Sequence, residues 1–363
     1  MPNRRVFLTA LLAAGSLPAI SWADAGSPAY LGAARTADGS FAMFGVGAEG
    51  GTRFAIPLPA RGHAGAAHPS APEALVFARR PGTFGLIIDC VAGREVARLS
   101  APEGLHFYGH AAFLLGGSLL ATTENHIATG EGRIGFWQRD AAGGYARLGD
   151  VPSGGIGPHE LRAMPDGQGL VVANGGIRTH PDHGRDKLNL PTMKPNITYL
   201  DASGIISETH GLPDDLHLNS IRHLDVRGDG LVAFAMQWQG DEGTPPLLAT
   251  HRAGQEITFA QADALDWARM RGYAGSLAFS ADGTQVAITS PRGGLMLAFD
   301  SQSGAKAWEW QRGDICGLAA AQGGFLVSDG MGAMHHVAPG NARLLAHDMG
   351  RAWDNHLVAV PSA

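Results

Sequence analysis

Short apolar runs separated by polar turns recur from Gly26 to Ala363. The repeating unit is an apolar strand, a turn rich in Asp and Gly, and a second apolar strand that ends in a polar loop. One clear copy is Gly157-Pro158-His159-Glu160-Leu161-Arg162-Ala163-Met164-Pro165-Asp166-Gly167 followed by Leu170-Val171-Val172-Ala173-Asn174. Another is Gly275-Ser276-Leu277-Ala278-Phe279-Ser280-Ala281-Asp282-Gly283 followed by Gln285-Val286-Ala287-Ile288-Thr289. A third lies between them, Ile221-Arg222-His223-Leu224-Asp225-Val226-Arg227-Gly228-Asp229-Gly230 and then Leu231-Val232-Ala233-Phe234. Runs this short, bounded by turn residues, read as strands. The Asp-Gly pairs suit hairpins because glycine takes positive φ without a steric penalty. Residues 261–270 alone read as a short helix, an insertion in the repeat.

Aligned on the start of each first strand, the copies begin at His63, His110, His159, His223, Ser276, Cys316 and His356, with spacings of 47, 49, 64, 53, 40 and 40 residues. Propeller blades repeat at roughly 40–50 residues with four strands each. The pattern therefore predicts an all-β fold, a seven-bladed β-propeller. The last copy, from Trp353 to Val360, leaves no room for a full blade after it. Strands near Tyr30–Arg35 and residues 40–46 must complete it, so the N- and C-terminal strands close one blade together and hide its edges. Two smaller all-β domains would need a linker in mid-chain, and no segment reads as one.

Composition agrees and narrows the class. There are 52 glycines, and charged residues make up only 17% of the chain, as expected of a turn-rich all-β protein. A net charge of -6 argues against nucleic acid as a partner. Residues 1–25 read as a leader. Arg4-Arg5 precedes an apolar stretch over residues 6–20, too short to span a bilayer, and Ala23-Asp24-Ala25 offers an Ala-x-Ala cleavage site. This is the order of a twin-arginine export signal. Residues 26–363 would then form a single propeller domain in the periplasm, a monomer without a membrane span. Cys90 and Cys316 read as two buried small residues rather than a disulfide.

Topology converts the repeat into a candidate site. In a propeller the first strand of each blade lines the central channel, so the strand starts and the loops after second strands meet at one mouth. The starts bring His63, His110, His159, His223 and His356 there, with Glu160 beside His159 and His106 on the approach to His110. Loops after second strands add Glu124, His126, Gln237, Trp238, Arg292 and Asp329. Imidazole is the commonest protein ligand for iron, copper and zinc. A His and carboxylate set suits non-haem iron, and histidine alone suits copper or zinc as well. A bound metal ion is thus expected, iron first and copper second, on His63, His110, His159, His223, His356, Glu124, Glu160, His106 and His126. The longest spacing holds a polar insertion with Arg178, His180, His183, Arg185, Asp186 and Lys187, which reads as a lid or partner-docking loop over the mouth. His335-His336 falls on a third strand away from the axis, and His68, His210, His217, His251 and His347 read as surface or packing residues. No Gly-x-Ser-x-Gly or Ser-His-Asp signature points to nucleophilic catalysis.

Several motifs resemble a bacterial family of unknown function whose members are predicted exported propellers. They are His106-Phe107-Tyr108-Gly109-His110, Thr122-Thr123-Glu124-Asn125, Gly155-Ile156-Gly157-Pro158-His159-Glu160-Leu161, Ala173-Asn174-Gly175-Gly176-Ile177-Arg178-Thr179-His180-Pro181, Gly184-Arg185-Asp186-Lys187-Leu188-Asn189-Leu190 and Thr289-Ser290-Pro291-Arg292-Gly293-Gly294. The family's genes often lie beside those of imelysin-type lipoproteins and di-haem peroxidase-like proteins, in clusters thought to serve iron uptake. The resemblance implies a role in periplasmic metal handling, with periplasmic or membrane proteins of an iron-uptake system as partners. It brings no established catalytic residue. One departure is His126, where the family pattern has an acidic residue after Asn125. Two alternatives stay open: a metal-dependent redox or lactone/ester-hydrolysing enzyme on the same site, and a docking scaffold without metal.

Overall fold

The computed structural model describes residues 20–78, 83–184 and 186–361. Among the described residues the strands form seven four-stranded antiparallel sheets, arranged as the blades of a propeller. The innermost strands of blades one to seven are Gly62–Ala67, Leu105–Leu114, Pro158–Ala163, Asn219–Val226, Ser276–Phe279, Ile315–Ala321 and Ala352–Ala359. Each aligned start from the sequence falls in one of them. Blade seven is closed as expected. The C-terminal Ala352–Ala359 pairs with Tyr30–Arg35, followed outward by Phe41–Val46 and Thr52–Leu58.

Burial explains why some strands read as unbroken apolar runs and others do not. The second and third strands of a blade are sandwiched between neighbouring blades. Gly169–Asn174 and Val232–Trp238 are accordingly buried at almost every position, whichever face the side chain takes. The outermost strands, such as Ile206–Gly211 and Asn341–His347, are mostly exposed. The apolar side chains gather into seven clusters, one at each seam between adjacent blades. The core is thus a ring of seams around a central channel. The expected hairpin glycines Gly167, Gly230 and Gly283 have φ of 66°, 84° and 70°.

The short helix Ala264–Arg269 lies between blades four and five, inside the segment expected to be helical. Cys90 and Cys316 are free and buried, and burial pushes both thiols up to about 12. His335 and His336 lie on Ala333–Ala338, the third strand of blade six. Of the leader expected over residues 1–25, residues 1–19 lie outside the described residues. Residues 21–26 form a turn that holds Trp22 against the seam between blades seven and one. No helix among the described residues is long and apolar enough to cross a membrane.

Candidate metal centre at the channel mouth

The regular ladder breaks where the innermost strands carry histidine. Register shifts fall between Gly62 and Gly65, Phe107 and Ala111, Pro158 and Glu160, and Ile221 and His223. Blade seven shows one facing Trp353 to Leu357. A bulge adds a residue to one strand and re-aims its neighbours, so His63, His110, His159, His223 and His356 turn towards the axis. Blade five has no shift between Ser276–Phe279 and its neighbour, and no histidine. Blade six is bulged at Cys316-Gly317 but carries no histidine there.

The five imidazoles come from five consecutive blades and form one cluster. Taken in order round the axis, the ring centroids lie 4.9 Å (His356 to His63), 5.2 Å (His63 to His110), 5.0 Å (His110 to His159) and 5.0 Å (His159 to His223) apart. His223 closes the circuit to His356 at 5.0 Å. Distances across the circuit are equal or little longer, 4.9 Å for His110 to His356, 6.1 Å for His63 to His159 and 6.2 Å for His110 to His223. The rings are therefore packed into a compact cluster, not spread on a flat circle. Two trios have nitrogens within 4.8 Å of one another: His63, His110 and His356, and His110, His159 and His223. Nitrogens bound to one ion at about 2.1 Å each stand no more than about 4 Å apart. Ring movements of about an ångström or less would close either trio, and His110 belongs to both.

Hydrogen bonds fix which nitrogen faces the centre. The Nδ1 of His159 lies 3.1 Å from the Arg222 carbonyl oxygen. A carbonyl only accepts, so Nδ1 carries the proton and Nε2 keeps its lone pair. The Nδ1 of His223 donates in the same way to Glu160 Oε2 at 3.1 Å. This carboxylate–imidazole pairing is the usual outer support of a metal-binding histidine. The Nε2 atoms of His110 and His356 are buried without a hydrogen-bond partner. Burial pushes His110 down to about 4, although the Glu160 carboxylate pulls the other way. Burial, followed by nearby positive groups, holds His159 and His356 well below the usual imidazole range. These rings are neutral at pH 7, the form that binds a metal. Burial alone would raise the Glu160 carboxyl. The Arg162 guanidinium, 2.8 Å away, overrides it together with His110 and His223, and holds the group ionised.

The other expected ligands stand differently: Glu124, His106 and His126 are engaged elsewhere, and Glu160 borders the cluster. Glu124 is fully buried, but Arg147 grips its two oxygens at 2.7 and 2.8 Å and Thr122 donates to it at 2.8 Å. Its carboxylate is turned into blade two because it sits on the second strand, not at a bulge. His106 stacks on Tyr108, with its Nδ1 3.0 Å from the Phe107 carbonyl oxygen. His126 lies at the strand end, 3.2 Å from the Thr129 hydroxyl. Glu160 borders the cluster, its Oε2 3.1 Å from Nδ1 of His223 and 3.8 Å from Nδ1 of His110.

Above the histidines the channel mouth widens into a cavity of about 320 Å³. Of the expected lid residues, Lys187 reaches it. Arg178 instead crosses to blade two and donates to the Ala128 carbonyl at 2.9 Å. His180 and His183 face each other on the insertion, with ring centroids 5.5 Å apart. Asp186 is exposed there, and Arg185 lies outside the described residues. Asn189 pins the base of the insertion: it accepts from the Arg178 backbone N–H at 2.7 Å and donates to the Gly176 carbonyl at 2.8 Å. Gln237, Trp238 and Arg292 line the cavity as expected. Asp329 does not, being buried against Arg312 at 2.7 Å. Arg222 was not picked out by sequence reasoning. Only the bulge before His223 brings it into the mouth, and no sequence signal marks that bulge.

Residues 56–360 match the profile of a family described as "Protein of unknown function (DUF1513)". No curated protein matches the chain. Among solved structures, hydrazine synthase of Kuenenia stuttgartiensis is similar with a TM-score of 0.57 at 13% identity, over 89% of this chain and 96% of that one. The β-propeller domain of Cps50 (Swd1) from Myceliophteria thermophila gives 0.57 at 12% identity, over 90% of this chain and 93% of that one. A functionally unknown protein from Desulfotomaculum acetoxidans gives 0.51 at 14% identity, over 77% and 84% respectively. At such identities the likeness speaks for the propeller fold alone.

Proposed function

The chain belongs to the family described as Protein of unknown function (DUF1513), and we propose that it is a metal-handling propeller that holds a transition-metal ion in the histidine cluster. The observation that carries this reading is the convergence of five imidazoles from consecutive blades, with Nδ1–H of His159 and of His223 already engaged. Each trio brings imidazole nitrogens within 4.8 Å of one another, and the buried Nε2 atoms of His110 and His356 have no hydrogen-bond partner, which is costly unless something bridges them.

The donors within reach are nitrogens. Glu160 is committed to His223 and Arg162, so it supports the site without ligating. This shifts the balance from iron towards copper, which imidazole sets favour strongly. Iron remains a cargo if a second molecule supplies oxygen ligands from the mouth. Carried further, the reading is an exported periplasmic protein of an iron- or copper-uptake system. It would receive or release the ion at the open mouth, where a partner protein would dock.

Elemental analysis of the natively produced protein tests the reading, followed by titration of metal-free protein with Cu(II), Fe(II) and Zn(II). One equivalent of tightly held metal is expected, lost in His110→Ala and held more weakly in His223→Ala, which leaves the trio of His63, His110 and His356 intact. Absence of stoichiometric metal, or binding indifferent to both changes, would sink it. The cavity over the cluster also gives room for a substrate, which favours metal-dependent catalysis as the second reading. Turnover of a lactone panel, or of peroxide with a reductant, by the metal-loaded protein would separate enzyme from carrier.

A further inference from the structure

Away from the channel, a second group of metal-ligating side chains meets at the outer edge of the seam between blades three and four. Glu208 and His210 stand on Ile206–Gly211, the outermost strand of blade three, and His251 ends Leu248–His251, the third strand of blade four. Residues two apart on a strand share a face, so Glu208 and His210 point the same way. Their partners in register, Tyr199 and Ile197, belong to the apolar cluster shared with blade four, and that face is therefore turned towards His251. One ligand atom from each of the three residues lies within 4.8 Å of the others. The ring centroids of His210 and His251 are 4.1 Å apart.

The Nε2 of His210 is buried 3.3 Å from Glu208 Oε2, yet makes no hydrogen bond. Two ligands of a tetrahedral zinc ion, each at about 2.0–2.1 Å, stand about 3.3 Å apart. The Gly254 backbone N–H steadies Glu208 by donating to its two oxygens at 3.0 and 3.2 Å. Burial, followed by the neighbouring His210, pushes buried His251 below the usual imidazole range, so it is neutral at pH 7, as a ligand must be. Its Nδ1 meets the Tyr199 hydroxyl at 2.7 Å, and its Nε2 donates to the Gln255 carbonyl at 2.8 Å. Gln255 lies on an exposed turn. Releasing that carbonyl frees Nε2 to ligate, while the Tyr199 oxygen accepts the Nδ1 proton and orients the ring, as outer partners of metal-bound histidines do.

We propose that Glu208, His210 and His251 bind a Zn(II) ion that ties the outer edge of blade three to blade four. Two imidazoles and a carboxylate are a zinc donor set, with water in the fourth position. The Glu208 and His210 side chains are 24% and 26% exposed, which leaves the ion a way in. The fold supplies a use for such a tie. The outermost strand of blade four, Thr258–Phe259, has two residues, whereas the other outermost strands among the described residues have six or more. It pairs with Ala249 and Thr250 and stops short of His251. The ion would make up for the missing strand pairing. The inference is independent of the channel reading, because the two sites share no residue and lie at opposite edges of the blades.

The test is titration of metal-free protein with Zn(II) against a chromophoric chelator, with melting in the presence and absence of excess Zn(II). Wild type, His110→Ala, His210→Ala and Glu208→Gln are compared. Beyond any metal at the channel, wild type is expected to take up a further, weaker equivalent of zinc and to melt higher with it, since a ligand of the folded form stabilises it by mass action. His210→Ala and Glu208→Gln should lose that equivalent and its share of the rise. Both sit on an outermost strand and should melt like wild type without metal. Glu208→Gln keeps an accepting oxygen for Gly254, so it separates a lost ligand from lost packing. His110→Ala should keep the further equivalent. The inference is overturned if both seam variants take up zinc as wild type does, or if His110→Ala removes every equivalent. Zinc lost in the seam variants and untouched in His110→Ala leaves this site standing and removes zinc from the channel.

Discussion

His110 is the residue on which the cluster turns. It is the one imidazole shared by both trios, and its Nε2 is buried without a partner. Removing it takes a donor from either arrangement, whereas removing His63 or His159 leaves one trio intact. His110→Ala is therefore expected to abolish tight metal binding, and His63→Ala to weaken it, in a competition assay against a chromophoric chelator. Equal effects would mean that only one trio is used. Glu160 acts differently. It holds His223 by its Nδ1 proton and is itself held by Arg162. Glu160→Gln keeps the shape and an accepting oxygen but loses the charge that favours a metal-bound imidazole. Such outer partners are worth about 10- to 100-fold in metal affinity. A drop of that order without change in metal stoichiometry is expected from the same assay. Sequence position alone gave Glu124 and Glu160 equal standing as ligands. What separates them is Arg147, which lies 23 residues from Glu124 and meets it only in the folded blade.

At the scale of the strand, the bulge decides what the site contains. A regular ladder sends alternate side chains to opposite faces, and the fifth blade, which keeps one, brings Ser276 to the channel without strain. In blade two the interruption needs Gly109. Its φ is 105°, and a Cβ there would stand 2.7 Å from Cδ2 of His63. Gly109→Ala should therefore cost about 1–3 kcal/mol of stability and push His63 off the cluster. Both effects are measurable, by thermal melting and by metal titration. The seven strand starts, the Asp-Gly hairpins and the closing strands were legible because they follow short-range pattern and spacing. The bulges were not, since a one-residue insertion leaves the apolar pattern on either side unchanged. Arg222 was lost with them. The helix Ala264–Arg269 illustrates a different element-scale effect, because its place on blade five depends on charge. Arg269 and Lys306 both grip Glu309, at 2.7 Å each, and Lys306 also reaches Asp266 at 2.7 Å. Arg269 first, then Lys306, lowers the Glu309 carboxyl to about 2 from an ordinary value of 4.5. A lowered carboxylate stabilises the fold above its unfolded value, and the benefit disappears as the pH falls through the folded one. The melting temperature of Glu309→Gln should thus fall less than that of wild type between pH 4.5 and 2. The partly exposed setting keeps the difference modest.

At the scale of the molecule, a propeller is only as sound as its closure, because the chain itself crosses each seam between blades while the ring is joined at its ends by strand pairing alone. Here the two ends of the chain share blade seven, and the histidine cluster depends on that closure. His356 sits on the C-terminal strand, paired with Tyr30–Arg35. The seam between blades seven and one carries one further feature. Trp22 is only 5% exposed, lies among Leu31, Met43, Val76, Leu86 and Ile88, and donates its indole N–H to the His68 carbonyl at 3.0 Å. It thus fastens the first blade to the last. Cleavage after Ala25, where the leader is expected to end, would remove it. Truncating a buried tryptophan costs about 3–5 kcal/mol, a large share of the stability of a single domain. A chain beginning at Ser21 is therefore expected to melt several degrees above one beginning at Gly26, and Trp22→Ala in the longer chain should reproduce the loss. If the two lengths melt together, the seam is held by the strand pairing alone. If they differ, the mass of the N-terminus of the natively produced protein tells which form the cell uses, and whether the seam beside His63 and His356 keeps its tryptophan.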